Sequence, residues 1–178
     1  MLMDEKGLKD LVSKMQNGDK SCFDTIFESV KKIVFYNIYS ITKSHDVSED
    51  LMQEVIVIFL QNYMTLKLDQ SITGYFLTIS RNIAINYVKK YSRNTELEKT
   101  EFLFEENDTY HTDEEQLMLQ IKEILNSKQF EIFVQHYYGE LTFEEISKAR
   151  NIPLGTVIWY YNSGIKKLRK ELKLYEDN

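Results

Sequence analysis

From Ser21 onward apolar residues recur at Phe23, Ile26, Phe27, Val30, Ile33, Val34, Ile38 and Ile41. Steps of three and four keep them on one face, so the spacing predicts a long amphipathic helix. A shorter helix, Leu8 to Met15, precedes it and is stopped by "NGD" at 17–19. The polar run "SHDVSED" then supplies capping side chains for a third helix, Leu51 to about Tyr63. A loop, "MTLKLDQSITG", leads to a fourth helix with Ile72, Tyr75, Phe76, Ile79, Ile83 and Tyr87 along one side. Four helices with short connections predict a compact bundle over residues 1–93.

The period is lost over 94–112, "NTELEKTEFLFEENDTYHT", where acid is in excess and the only apolar knot is Phe102–Phe104. Such a stretch reads as a flexible acidic linker. Order returns at "TDEE", in which Thr112 and Glu115 have capping-box spacing. The helix they open runs through Leu117, Ile121, Ile124 and Leu125. Ser127 is expected to cap the next, with Phe130, Phe133, Val134 and Tyr137 inside and Gly139 as its stop. Thr142 and Glu145 form a second capping box, and that helix lasts barely two turns, to about Arg150. Pro153 cannot continue it, forces Ile152 out of the helical region, and suits the start of another helix. The predicted fold is all-α: a four-helix N-terminal domain (1–93), a flexible linker (94–112) and a C-terminal helix-turn-helix domain (113–178).

The last helix carries the candidate chemistry. Val157, Tyr161, Ile165, Leu168 and Leu172 pack inward, leaving Ile158, Trp159, Asn162, Ser163 and Lys166 on the opposite face. Two helices at a tight corner, the second with an exposed face, match a helix-turn-helix, although a plain helical hairpin shares the pattern. Asn162 and Ser163 can hydrogen-bond base edges, and Ile158 and Trp159 offer apolar contact. Lys166, Lys167, Arg169 and Lys170 can reach phosphates, as can Thr156 with the free amides of the helix start.

A formal net charge of −6 would by itself argue against a DNA binder, yet its distribution changes the picture. Residues 94–118 hold one lysine and nine acids, a net −8, while the flanking blocks 1–93 and 119–178 are each +1. Near-neutral blocks permit nucleic-acid binding but predict weak binding by the chain alone. One cysteine, Cys22, excludes an internal disulfide and reads as a small core residue. The charged N-terminus and the lack of any 18-residue apolar run argue against a signal peptide and membrane insertion, so a cytoplasmic location is expected. Nothing calls for a cofactor or a metal. His45-Asp46 has the composition of a metal-binding dipeptide, but His111 and His136 lack the company of further ligands, and a capping role fits better. There is no glycine-rich phosphate loop or nucleophile motif, so no catalytic residue is assigned and an enzyme is not expected.

Four blocks in order resemble the extracytoplasmic-function (ECF) group of bacterial RNA polymerase sigma factors. "GDKSCFDTIFESV" is similar to the opening helix of that family. "SEDLMQEVIVIFLQNY" resembles its acidic pair followed by D-L-x-Q-E-x-F, with isoleucine for the phenylalanine. "ITGYFLTISRNIAINYVKK" resembles its W-L-x-x-I-A-R-N helix, with Phe76 for the tryptophan and Asn86 for an aspartate. "FEIFVQHYYGELTFEEISKARNIPLGTV" is similar to its helix-turn-helix block.

The resemblance implies a two-domain initiation factor whose partners are core RNA polymerase and promoter DNA, with an anti-sigma factor as a third candidate. Asp50, Gln53 and Glu54 fall in the polymerase-docking block. Lys67, Asp69, Gln70 and Ser71, with Arg81, Asn82, Asn86, Lys89 and Lys90, fall where the family meets the −10 element. Strand opening there needs a base pocket and positive charge along the displaced strand. Thr156, Ile158, Trp159, Asn162, Ser163, Lys166 and Lys167 fall on the −35-reading helix. The acidic linker would thread through core polymerase near the RNA path. Family members often carry arginine where this chain has Ile158, Tyr160 and Ser163, which implies fewer guanine and phosphate contacts. The alternative is a free-standing helix-turn-helix regulator acting without polymerase, which leaves the Asp50–Glu54 block without a use.

Overall fold

The computed structural model of the protein describes residues 3–95 and 113–172, all of them in helices or short connections. The chain divides into two compact units, Met1–Leu103 and Phe104–Asn178. The acidic linker beyond Thr95, the Phe102–Phe104 knot and the Thr112 end of the first capping box lie outside the described residues.

The first unit contains α1 (Glu5–Gln16), α2 (Cys22–Thr42), α3 (His45–Asn62), a 3-10 turn (Tyr63–Thr65) and α4 (Ile72–Thr95). Helix α2 is the hub, packed against α1, α3 and α4. Its first half buries one stripe, including Cys22, Ile26 and Val30. From Ile33 on it is enclosed on nearly every side, Tyr36, Asn37, Tyr39 and Ser40 included. The stripe expected from the sequence is therefore only part of the buried surface, and Phe23, Phe27 and Ile41 stay half-buried.

Helix α3 corrects a boundary. It starts at His45, not Leu51, because Ser44 is the N-cap and its hydroxyl accepts from the Val47 amide. The run "SHDVSED" has the composition of a loop but forms the cap and first turns of the helix, with both of its serines hydrogen-bonded. Buried Ser48 donates to the Ser44 carbonyl at 2.6 Å and lies 2.9 Å from the Thr42 hydroxyl. The capping expected of His45-Asp46 thus belongs to Ser44, and the His45 ring instead lies 5.0 Å from the Phe35 ring. Helix α1 begins earlier too, capped by the Asp4 carboxylate, which accepts from the Gly7 amide. Its stop is Gly18, whose φ of 101° suits only glycine.

The second unit contains α5 (Asp113–Ile124), α6 (Ser127–Tyr137), α7 (Phe143–Arg150) and α8 (Leu154–Glu171). The cap of α6 is Asn126, one residue before the expected Ser127, and it forms a reciprocal box with Gln129. Phe130 and Val134 are core as expected, but Tyr137 is 60% exposed, stacked on half-buried Phe133. Ile132 takes up core volume in their stead. The left-handed residue after α6 is Glu140, not Gly139. The Thr142–Glu145 box is present in both directions, at 2.8 and 3.2 Å.

Candidate nucleic-acid interface

In the second unit the corner between α7 and α8 is built locally. Asn151 ends α7 in the left-handed conformation, its amide reaching the Ser147 and Lys148 carbonyls. The Ser147 hydroxyl donates to the Ile152 carbonyl at 2.7 Å, closing the turn. Pro153 is the N-cap of α8, and its carbonyl receives the Thr156 and Val157 amides. Around Gly155 the first turn is open, with nothing beyond its own stretch of backbone within 4 Å of where a Cβ would stand.

Helix α8 buries Val157, Gly164 and Leu168 and leaves Tyr161 and Ile165 half-buried. Its outward side centres on Trp159, 62% exposed, with Asn162 and Lys166 beside it and Thr156 partly exposed at the start. Ile158 and Ser163 sit at the margins, each half-buried. The Ser163 hydroxyl accepts from Gln129 Nε2 at 2.9 Å and donates to the Tyr160 carbonyl, while Lys167 Nζ donates to Gln129 Oε1 at 3.2 Å. Ser163 and Lys167 therefore tie α8 to the start of α6 as well as flanking its outer face. Sequence periodicity missed Gly164, which lets the Leu125 and Gln129 side chains approach to 3.2 and 3.5 Å of its Cβ direction. A glycine in mid-helix was the available signal.

In the first unit Asp50, Gln53 and Glu54 all lie exposed on α3, in its middle because of the earlier start. The same face continues into exposed Val57, Leu60 and Met64. All three were missed, though for Val57 and Leu60 there was a signal, since "VIVIFL" at 55–60 places more apolar residues in succession than one helix face can bury. Val55 and Phe59 take the inside. Tyr87 of α4 has its phenol pushed up, first by burial, then by its neighbour Tyr91 and the Asp50 carboxylate.

Lys67, Asp69 and Gln70 are exposed in the α3–α4 connection, and Ser71 is half-buried as an N-cap, accepting from the Gly74 amide at 2.9 Å. Along α4, Asn82, Asn86, Lys89 and Lys90 are exposed and Arg81 is half-buried. Phe76 is fully buried, and Tyr75 is half-buried with its phenol pushed up by burial. The rotation of α4 is fixed by Asn37, wholly buried in α2, whose Nδ2 donates to the Leu77 carbonyl (3.1 Å) and the Ser80 hydroxyl (2.8 Å). That buried polar contact turns the Asn82–Lys89 face outward.

Among the described residues no three His, Cys, Asp or Glu side chains gather as a metal site. His136 is held by the Leu141 carbonyl at 2.8 Å, between the Phe143 and Tyr161 rings. No helix among the described residues is long and apolar enough to cross a membrane.

The chain matches the family described as Sigma-70 region 2 over residues 26–94 and Sigma-70, region 4 over residues 123–170. It is 23% identical to the ECF RNA polymerase sigma factor SigW of Bacillus subtilis over 184 residues, covering 95% of this chain and 98% of that protein. Its fold is similar to the sigma factor RpoE of Bartonella quintana, solved with the anti-sigma factor NepR, at a TM-score of 0.70 and 17% identity over 85% of this chain and 97% of that one. CnrH, solved with the cytosolic domain of CnrY, is similar at a TM-score of 0.60 and 13% identity over 93% and 96%. The outward faces of α3, α4 and α8 lie within the matched regions. With both regions present in order and a relative alike along nearly its whole length, the chain belongs to the ECF group of sigma factors.

Proposed function

We propose that this chain binds core RNA polymerase through the outer face of α3 and directs promoter-specific initiation. The first unit reads and opens the −10 element, and the second reads the −35 element as duplex. The observation that carries the reading is the α3 face, where exposed Asp50, Gln53 and Glu54 run into exposed Val57, Leu60 and Met64. A polar segment leading into an apolar stripe suits a large protein partner, and a free-standing regulator, even as a dimer seated on the stripe, leaves the Asp50–Glu54 segment without a use. At the −10 element Asn82, Asn86, Lys89 and Lys90 of α4 follow the strand, and the connection holding Lys67, Asp69 and Gln70 meets the bases. At the −35 element Trp159 and Asn162 face base edges while Lys166 and the open first turn of α8 meet phosphates. The linker threads core polymerase near the RNA path. Two structural relatives were solved with protein partners, one of them an anti-sigma factor, which supports such a partner as a regulator of this chain.

In vitro transcription with core polymerase on a genomic template library tests the reading. Promoter-specific starts that need the chain are the expected result; footprints formed equally well without polymerase would favour the regulator. Trp159→Ala is expected to weaken promoter choice about tenfold, as for one lost base contact, with core binding intact. Equal loss of both would overturn the division of labour.

A further inference from the structure

Helix α1 has no role in the reading above, yet its two ends hold the two ends of one functional connection. In its first turn, the Glu5 carboxylate accepts from the Ile72 amide, the Thr73 amide (3.1 Å) and the Ser71 hydroxyl (3.1 Å). It thereby caps α4 from another helix, alongside Ser71 itself. At the end of α1, Gln16 Nε2 donates to the Tyr63 carbonyl at 2.8 Å and the Leu66 carbonyl at 2.9 Å. Between these clamps stand exposed Lys67, Asp69 and Gln70, with a single turn bond from the Gln70 amide to the Lys67 carbonyl at 3.2 Å. The apolar anchoring of α1 is separate, through buried Leu8, Val12 and Met15.

We propose that α1 is a rigid splint for the α3–α4 connection, and that Glu5 and Gln16 are positioning residues for recognition of the −10 element. The proposal rests on the reading that this connection meets promoter DNA. The physical logic is preorganisation. A short exposed segment discriminates between bases only if its conformations are few, because a loose one can re-form around a wrong base and recover part of the contact it should have lost. Glu5 and Gln16 restrict it from both ends through backbone atoms, so they act whatever side chains Lys67–Gln70 present. Their chemistries are also opposite. Glu5 offers two acceptor oxygens and Gln16 two donor hydrogens, so glutamine at 5 keeps one acceptor of two while glutamate at 16 keeps no donor.

Gln16→Glu is nearly isosteric but turns a carboxylate toward two carbonyls; Glu5→Gln keeps one acceptor oxygen and turns an NH2 toward the donors that the other oxygen had satisfied. Both leave the apolar anchor intact. Reconstituted holoenzyme with full-length variants is assayed on two promoter sets, one differing only in the −10 element and one only in the −35. Discrimination within the −10 set is expected to fall about fivefold, the scale of one lost cap or hydrogen bond, with the −35 set and core affinity unchanged. Amide exchange in Glu5→Gln is expected to quicken about fivefold at Ile72 and Thr73 and to stay unchanged through α2. Quicker local exchange with undiminished −10 discrimination would overturn the proposal, as would equal loss on both promoter sets. If the unaltered holoenzyme shows no −10 preference, the functional reading itself has failed and the proposal falls with it. The exchange data then separate that failure from a failure of the clamps.

Discussion

Arg150 and Glu131 illustrate how single side chains set the geometry of the second unit. Arg150 Nη2 donates to Glu131 Oε2 at 2.6 Å, Nη1 pairs with Oε1, and both side chains are nearly excluded from water. This bolts the end of α7 to α6, just before the corner that launches α8. Breaking such a pair from one side leaves a buried charge, so Arg150→Met is expected to lower unfolding free energy by about 3 kcal/mol in denaturant titration. The double variant Glu131→Gln, Arg150→Met should recover part of that loss. Cys22 is a smaller case. Burial, and after it the Asp19 carboxylate accepting its S–H at 3.5 Å, push its thiol up. Less thiolate means slow alkylation of the native chain at about pH 8, with a jump on unfolding; equal rates in both states would refute its burial. Cys22 could be placed from the sequence by its position on an apolar stripe. Arg150 could not, because its partner lies 19 residues away on another helix.

At the scale of elements, helix type was readable because the signals are short-range. The Thr142–Glu145 box and the proline corner involve residues within one or two turns of each other. Rotational setting was not readable in the same way. Helix α8 was expected to pack on a stripe of large side chains, yet Gly164 is a main contact, chosen for closeness and not for area. Gly164→Val is expected to cost about 1–3 kcal/mol through overpacking against Leu125 and Gln129. Thermal denaturation checks it, and an unchanged midpoint would show that α6 and α8 can separate cheaply. Likewise α4 is keyed by Asn37 and not by apolar fit alone. Asn37→Ala is expected to cost about 2 kcal/mol, since a cavity adds to two lost hydrogen bonds. Exposed Val57 and Leu60 were obscured because an unbroken apolar run hides which members face out.

For the whole molecule, the net charge of −6 says little about either unit, since residues 94–118 alone contribute −8. The cations that remain outward on α8 and away from Gln129 are Lys166, Arg169 and Lys170. On the functional reading, duplex binding by the chain without polymerase should be weak, with a log–log salt slope of about −3 for three phosphate contacts. A much steeper slope in a salt titration of binding would mean that other cations join the interface. Weak intrinsic grip suits a factor delivered to promoters by a larger assembly.

The sequence by itself determined that the chain is helical, that its final helices form a proline-turned corner, and that its motifs run in the order of an ECF sigma factor. Those features rest on periods and caps that span a few residues, where local chemistry suffices. Only the tertiary structure decided which faces stay outward and what holds them there. Asn37 meets Ser80, Gln129 meets Ser163 and Glu5 meets Ile72 across 43, 34 and 67 residues. A buried polar group must find a partner or lose stability, and which partner it finds depends on how helices are stacked in space, which no local period encodes.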